Sequence, residues 1–177
     1  MSASTSCSQK HKADDTPMPN KLDISLPSDR EIRITRSFDA PRNLVWDCHT
    51  KPELVRRWLL GPPGWEMPVC EIDLRVGGAY RYEWVDKSRG ITMGMGGTYT
   101  EVAKPDRIGS REKFDDDWTG GETLITQVFA EKAGKTTMTQ TILYASKEAR
   151  DGAAKTGMTN GMEFGYQRLD DLLAELA

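Results

Sequence analysis

The chain has 177 residues, enough for one ordinary domain and a tail. Its 24 Lys and Arg against 27 Asp and Glu leave a formal charge of -3, so no basic field exists to hold a phosphate backbone, and nucleic acid is excluded as a partner. Hydrophobic residues make up 37%, and because the shortfall is concentrated at the start of the chain, the remainder can build a core.

Residues 1–28 are mostly Ser, Thr, Lys, Asp and Pro, with Leu22, Ile24 and Leu26 as the only clustered aliphatics, too little apolar surface to offset ordering entropy. They read as a tail, disordered to about Asn20. Its last part alternates polar and apolar from Lys21 to Leu26 and reads as a solvated linker, with a short edge strand as the alternative. Residues 29–177 form the domain. In 30–38 (REIRITRSF), Ile32, Ile34 and Phe38 alternate with charged residues, marking a strand. Pro41 reads as the first turn of a helix whose inner face carries Leu44, Val45 and Cys48. A second short helix follows, with Thr50 as N-cap, Pro52 in the first turn, and Leu54, Val55 and Trp58 inward. Gly61-Pro62-Pro63-Gly64 ends it.

Six alternating segments come next, roughly 66–74, 78–85, 91–102, 107–114, 122–131 and 136–144. Short connections rich in Gly, Pro, Asp or Lys separate them, so neighbouring strands should run antiparallel as a meander. After Ser146, a candidate N-cap, the period changes. Met158, Met162, Leu169, Leu172, Leu173 and Leu176 recur at three and four, the pattern of one long amphipathic C-terminal helix. The order β-α-α-β6-α is an α+β layout with a single sheet, and only the last helix is long enough to cover it. A helix lying across a strongly curved sheet cannot touch it along its whole length, so a cavity is expected between them.

Four strings occur in order: FDAPRNLVWDCHTKPELVRRWLLGP; DLRVGGAYRY; GGTYTEV followed by KPDRI; and TILYASKEARDGAAKTGMTNGMEFGYQRLDDLLAEL. Together, from about Ile32 to Leu176, they resemble the single-domain proteins related to the C-terminal domain of the activator of Hsp90 ATPase, within the START-like or Bet v 1-like (SRPBCC) superfamily. The resemblance implies a helix-grip fold, a curved antiparallel sheet wrapped around a long C-terminal helix with a hydrophobic pocket between. The chain departs from the pattern at Leu59, where members often carry a second Trp, and at Cys48, where Ala is common. The Hsp90 co-chaperones have a further N-terminal domain that contacts the chaperone, whereas this chain has a short tail there, so the sequence alone supports no Hsp90 interaction.

Motifs for other chemistries fail on inspection. Gly134-Lys135-Thr136 lacks the Walker glycine, Phe129 standing in its place. Gly94-Met95-Gly96-Gly97 misses the dinucleotide fingerprint at Tyr99, and its glycines read as a bulge or sheet bend. His11 and His49 read as solvated, too far apart to suggest a metal pair. Asp115-Asp116-Asp117 reads as a solvated connection rather than a cation site. Cys48 and Cys70, among apolar neighbours, read as small buried residues, and with Cys7 they make neither a disulfide framework nor a zinc site. No metal or cofactor is expected. No apolar run is long enough to span a membrane, and the start MSASTSCSQKHKADD lacks the apolar stretch of a signal peptide, so a cytoplasmic location is expected.

The residues that do carry chemistry lie on the strands and the last helix. Tyr80, Tyr82 and Trp84 alternate on one face, and two buried phenols need partners, which points to a partly wet pocket as well as to core packing. Met93, Met95, Met138, Met158 and Met162 add adaptable apolar surface, with core filling as the alternative for each. Glu112 is in phase with Ile108 and Phe114, and Gln140 with Met138, Ile142 and Tyr144, which turns both toward the concave side, with a one-residue register slip or a bulge that turns them outward as the alternative. A buried carboxylate needs a partner or must take up a proton, so Glu112 marks a functional cavity. Gly157, Gly161 and Gly165 let the helix approach the sheet or leave room for a guest.

The expected binding wall is Trp58, Tyr80, Tyr82, Trp84, Met95 and Tyr99 with Met138, Met158, Met162 and Tyr166, and Glu112 and Gln140 orient the polar end of a small apolar or amphipathic ligand. Two rival readings are a cyclase- or hydrolase-like enzyme using Glu112 as acid or base, and a protein-binding module of the chaperone-partner kind. A homodimer through a sheet edge or the helices is left open.

Overall fold

The computed structural model describes residues 20–177. The disorder expected before Asn20 lies outside the described residues. Eight strands form one antiparallel sheet: β1 (Asp23–Ser25), β2 (Glu31–Phe38), β3 (Trp65–Ile72), β4 (Ala79–Asp86), β5 (Ile91–Ala103), β6 (Arg107–Phe114), β7 (Thr123–Lys132) and β8 (Lys135–Leu143), in the order β1-β2-β8-β7-β6-β5-β4-β3. The last six strands are the meander the short turns demand, and β2 returns to pair with β8 in unbroken register from Glu31↔Leu143 to Phe38↔Thr136. Asp23–Ser25 pairs with β2, so the edge strand forms where the sequence reading favoured a solvated linker. Register shifts between Glu66 and Val69 and between Tyr99 and Glu101 bend the sheet. Between β7 and β8, Ala133 and Gly134 both have positive φ, 50° and 74°, the two-residue turn whose twist suits a hairpin.

Helices α1 (Arg42–Thr50) and α2 (Pro52–Trp58) link β2 to β3. Thr50 does not cap α2. It ends α1, with its hydroxyl donating back to the Trp46 carbonyl at 2.8 Å. Ser146 does cap the next helix, accepting from the Ala149 N–H at 3.1 Å. That helix is shorter than the periodicity suggested: α3 (Lys147–Ala154) stops, Gly157 takes the left-handed conformation at φ 73°, and α4 (Met158–Leu176) starts afresh. One long helix is therefore two, with the break where Gly157 can turn the chain.

The inward residues of the strands and α4 make the core. Tyr166, Leu169, Leu172 and Leu173 of α4 pack with Phe38, Val45, Trp46, Val55 and Phe129, and a smaller cluster under α3 joins Ala153 to Ile32, Ile34, Ile142 and Tyr144. Each such large side chain contributes about 1.5–3 kcal/mol on burial. The sheet holds α4 by a charged clamp as well. Arg36 on β2, 1% exposed, makes a bidentate pair with Asp170 at 2.9 and 2.6 Å, and its guanidinium lies over the rings of Phe38 and Tyr166.

Candidate functional site

A cavity of about 580 Å³ lies between the concave face of the sheet and α4, closed on one side by α2 and the 59–62 loop. A smaller chamber of about 140 Å³ continues it inward, and Trp58, Leu59, Met95, Glu112, Met162 and Tyr166 line both. The outer wall is almost wholly apolar, with Trp65, Trp84, Met93, Phe114, Trp118 and Met158 on it. Polar groups concentrate in the inner chamber.

The aromatic residues are held by hydrogen bonds as well as by packing. Trp58 donates its indole N–H to the Cys48 carbonyl at 2.8 Å and stacks on Tyr166 with ring centroids 5.5 Å apart. Trp84 donates to the Leu59 carbonyl at 2.6 Å. Tyr80 lies 5.3 Å from Tyr82 and 5.0 Å from Tyr99, centroid to centroid. These anchors fix ring faces along the cavity instead of leaving them to repack.

Glu112 is the central polar group. It stands opposite Gly97, and Gly97 stands opposite Tyr80, so the three residues line up across β6, β5 and β4. A Cβ at Gly97 would collide with the Tyr80 ring. The missing side chain therefore lets the Tyr80 phenol cross a whole strand and donate to Glu112 Oε2 at 2.9 Å, with Ser110 Oγ 3.2 Å from the phenol oxygen and able to donate to it. Gly97 serves this close approach, where a bulge was expected. The bulge itself falls further along, at Tyr99 and Glu101. Burial pushes the Glu112 carboxyl up from 4.5 to about 7, against the opposing pull of the Tyr80 hydrogen bond.

Deeper in, Gln127 donates its side-chain amide to Gln140 Oε1 at 2.8 Å. His49 is buried, not solvated as the sequence reading had it: its ring packs against Trp58 at 4.9 Å and Phe129 at 5.1 Å. Arg89 is the only Lys or Arg among the described residues lining either space. It is largely exposed at the outer rim, tied to Asp86 Oδ2 at 2.7 Å.

All the anticipated wall residues face one of the two spaces except Met138, which is fully buried in the core with its sulfur 3.9 Å from the Tyr166 hydroxyl. Alternation gave Met138 the right face of β8, but at that depth the space is filled. Of the helix glycines, Gly161 and Gly165 both border the cavity, and Gly165 also brings α4 against α2, where a Cβ would lie 3.2 Å from the Trp58 carbonyl oxygen. The sequence reading missed His49, Trp65 and Trp118. For His49 a signal existed: it follows Val45 by four residues, and the helical period puts both on the inner face. Elsewhere, Cys48 and Cys70 are buried, their thiols pushed up to about 11 by burial. Asp115 forms a two-point pair with Arg81 across the sheet. No described helix is long and apolar enough to cross a membrane.

The fold is shared with known proteins. The family model described as activator of Hsp90 ATPase homolog 1-like protein matches residues 39–174, so the chain belongs to that family. Among solved structures, a Rhodobacter sphaeroides protein is 33% identical, with 88% of this chain and 99% of that one covered and a TM-score of 0.83. A Staphylococcus epidermidis protein is 28% identical over 87% and 94% of the two chains, with a TM-score of 0.73. One from Mycobacterium smegmatis is 25% identical over 86% and 97%, with a TM-score of 0.76. No curated protein matches the chain.

Proposed function

We propose that this protein binds a small apolar or amphipathic molecule between the sheet and α4. The observation that carries the reading is the cavity of about 580 Å³, walled by anchored aromatic rings and methionines, with its polar groups gathered at the inner end. Such a wall gives an apolar body its affinity, and the few polar groups give the guest a direction. The two described cysteines are free, which suits a reducing compartment, and the cytoplasm is the location we propose.

Binding of a hydrophobic fluorescent probe or a lipid extract tests this. At ligand concentrations a hundredfold above Kd the native state gains about 2.7 kcal/mol, which raises Tm by roughly 5–10 °C for a chain of this size. Met162 touches both spaces, so Met162→Trp fills their junction and abolishes the shift. A folded Met162→Trp protein that binds as well as the parent defeats the assignment.

One observation favours a second reading, acid–base catalysis. Glu112 holds a carboxyl near neutral pKa against an apolar space, the setting that suits a general acid or base. If a cavity-bound substrate is turned over, Glu112→Gln lowers kcat by about 10²–10⁴ and spares binding. Turnover unaffected by that change removes Glu112 from any catalytic role.

A further inference from the structure

Glu112 is an acid without a counter-charge. Its Oε2 accepts from the Tyr80 phenol at 2.9 Å, whereas Oε1 accepts nothing from the described residues. Packing does not seal Oε1 off, unlike the unpartnered His49 Nε2 and Trp65 Nε1 on the same walls. The side chain is half-buried on the concave face and borders both the outer cavity and the inner chamber, so the open oxygen fronts the space where the two meet. No Lys or Arg of the described residues acts on the carboxyl: burial and the Tyr80 hydrogen bond set its protonation. Arg89 stays at the outer rim, held by Asp86.

The surroundings suit an anion at Glu112 with a cation beside it. Tyr80 has one proton to donate and directs it at the carboxylate, while Ser110 is able to donate to the phenol oxygen from behind. The other titratable groups around the two spaces bring no charge. Burial pushes the phenols of Tyr80, Tyr82, Tyr99, Tyr144 and Tyr166 up, so they stay protonated, and pushes the His49 imidazole down to about 4, so it stays neutral. The rings add to the selection, because aromatic faces attract cations and repel anions. Trp58 and Tyr166 border both spaces, and Tyr82 and Tyr99 flank Tyr80 in the inner chamber. An ionised carboxylate against an apolar void carries a desolvation cost. A bound cation offsets that cost, a neutral guest leaves it, and an anion adds to it.

We infer that the junction of the two spaces is a cation site: Glu112 takes the protonated amine of a ligand whose apolar body fills the outer cavity, and the site discriminates against the same body ending in an alcohol or a carboxylate. This rests on the cavity-binding reading and names the class of head group that reading left open.

The full chain is titrated calorimetrically at pH 8, in about 0.15 M salt to screen surface charge, with three probes sharing one body: para-hexylbenzylamine, para-hexylbenzyl alcohol and para-hexylphenylacetate. The amine binds at least about tenfold tighter than the alcohol, and the phenylacetate binds most weakly. Because burial pushes the Glu112 carboxyl up to about 7, the amine, itself protonated throughout, binds about tenfold more weakly at pH 6 than at pH 8 and releases a proton on binding at the lower pH. The alcohol gains nothing over that range. Glu112→Gln keeps the shape and an acceptor for Tyr80, brings amine and alcohol within about twofold of one another, and removes the pH dependence. A folded Met162→Trp protein, its junction filled, does not bind the amine, which separates the cavity from acidic groups on the surface. Equal binding of amine and alcohol by the parent protein, tightest binding of the phenylacetate, a level pH profile for the amine, or a preference that survives Glu112→Gln each overturns the inference while leaving cavity binding intact. If none of the three probes binds, or if amine binding survives Met162→Trp, the cavity-binding reading fails and this one with it. Should Glu112→Gln not fold, the parent series and its pH profile decide.

Discussion

At the scale of single residues, the site holds two ionisable groups, the half-buried Glu112 and the buried His49, that desolvation drives in opposite directions. Glu112 is raised from 4.5 to about 7, so between those values the folded chain keeps a proton that the unfolded chain has lost, and stability falls as pH rises. His49 is lowered from 6.5 to about 4, so over that interval the unfolded chain holds the extra proton, and stability rises with pH. Each slope is at most about 1.4 kcal/mol per pH unit, and between pH 4.5 and 6.5 they oppose and largely cancel. Urea midpoints measured across pH should therefore stay nearly level in the parent protein over that window. Glu112→Gln unmasks the rise due to His49, and His49→Leu unmasks the fall due to Glu112. Level profiles in both variants would show that neither group is as desolvated as its surroundings imply. The inward face of Glu112 was legible from alternation alone. The environment of His49 was not, because a polar residue at a helix end gives no sign that rings from β2, α2 and β7 close over it, even though its spacing from Val45 gave its direction.

At the scale of elements, α4 is held to the sheet by Arg36 and Asp170 and to α2 by the absence of a side chain at Gly165. The two helical glycines inside α4 are therefore not equivalent. A Cβ at Gly161 meets only Pro62 Cδ at 3.8 Å, an ordinary contact, so Gly161→Ala keeps the packing and gains helix propensity of about 0.8–1 kcal/mol. Thermal scans should show Tm rising by about 2–4 °C. At Gly165 the same methyl lies 3.2 Å from the Trp58 carbonyl oxygen, at the end of α2, and the helices must separate to admit it. Gly165→Ala leaves Tm unchanged or lowers it. An equal rise in both variants would mean that α2 and α4 are less tightly apposed than this. The order of elements followed from the change of hydrophobic period and from the turn residues, because both signals are local. The break between α3 and α4 did not, since Gly157 inside a periodic pattern reads equally as a tolerated helix residue until its φ of 73° is known. Periodicity likewise gave Met138 its face but not its depth, which depends on how closely α4 approaches β8.

At the scale of the whole molecule, an open eight-stranded sheet has two edges that are unpaired among the described residues, and an edge strand is a template for a second copy. The β1 edge has only three residues. The β3 edge is longer, and three features blunt it. Pro68 lacks an N–H, the register shift between Glu66 and Val69 breaks the ladder, and Arg56 reaches from α2 to the carbonyl oxygens of Met67 at 3.0 Å, Pro68 at 3.1 Å and Cys70 at 3.4 Å. The guanidinium thus occupies acceptors that a neighbouring strand would need. Pairing through this edge is expected to be negligible in the parent protein, and a homodimer, if formed, would use the helices, where Phe164 and Leu176 are exposed. Combining Arg56→Ala with Pro68→Val frees the carbonyls and restores a donor, so the double variant should self-associate in sedimentation velocity as concentration rises while the parent's sedimentation coefficient holds steady. If the double variant sediments as the parent does, the protection of the β3 edge resides in sheet twist and not in Arg56 and Pro68.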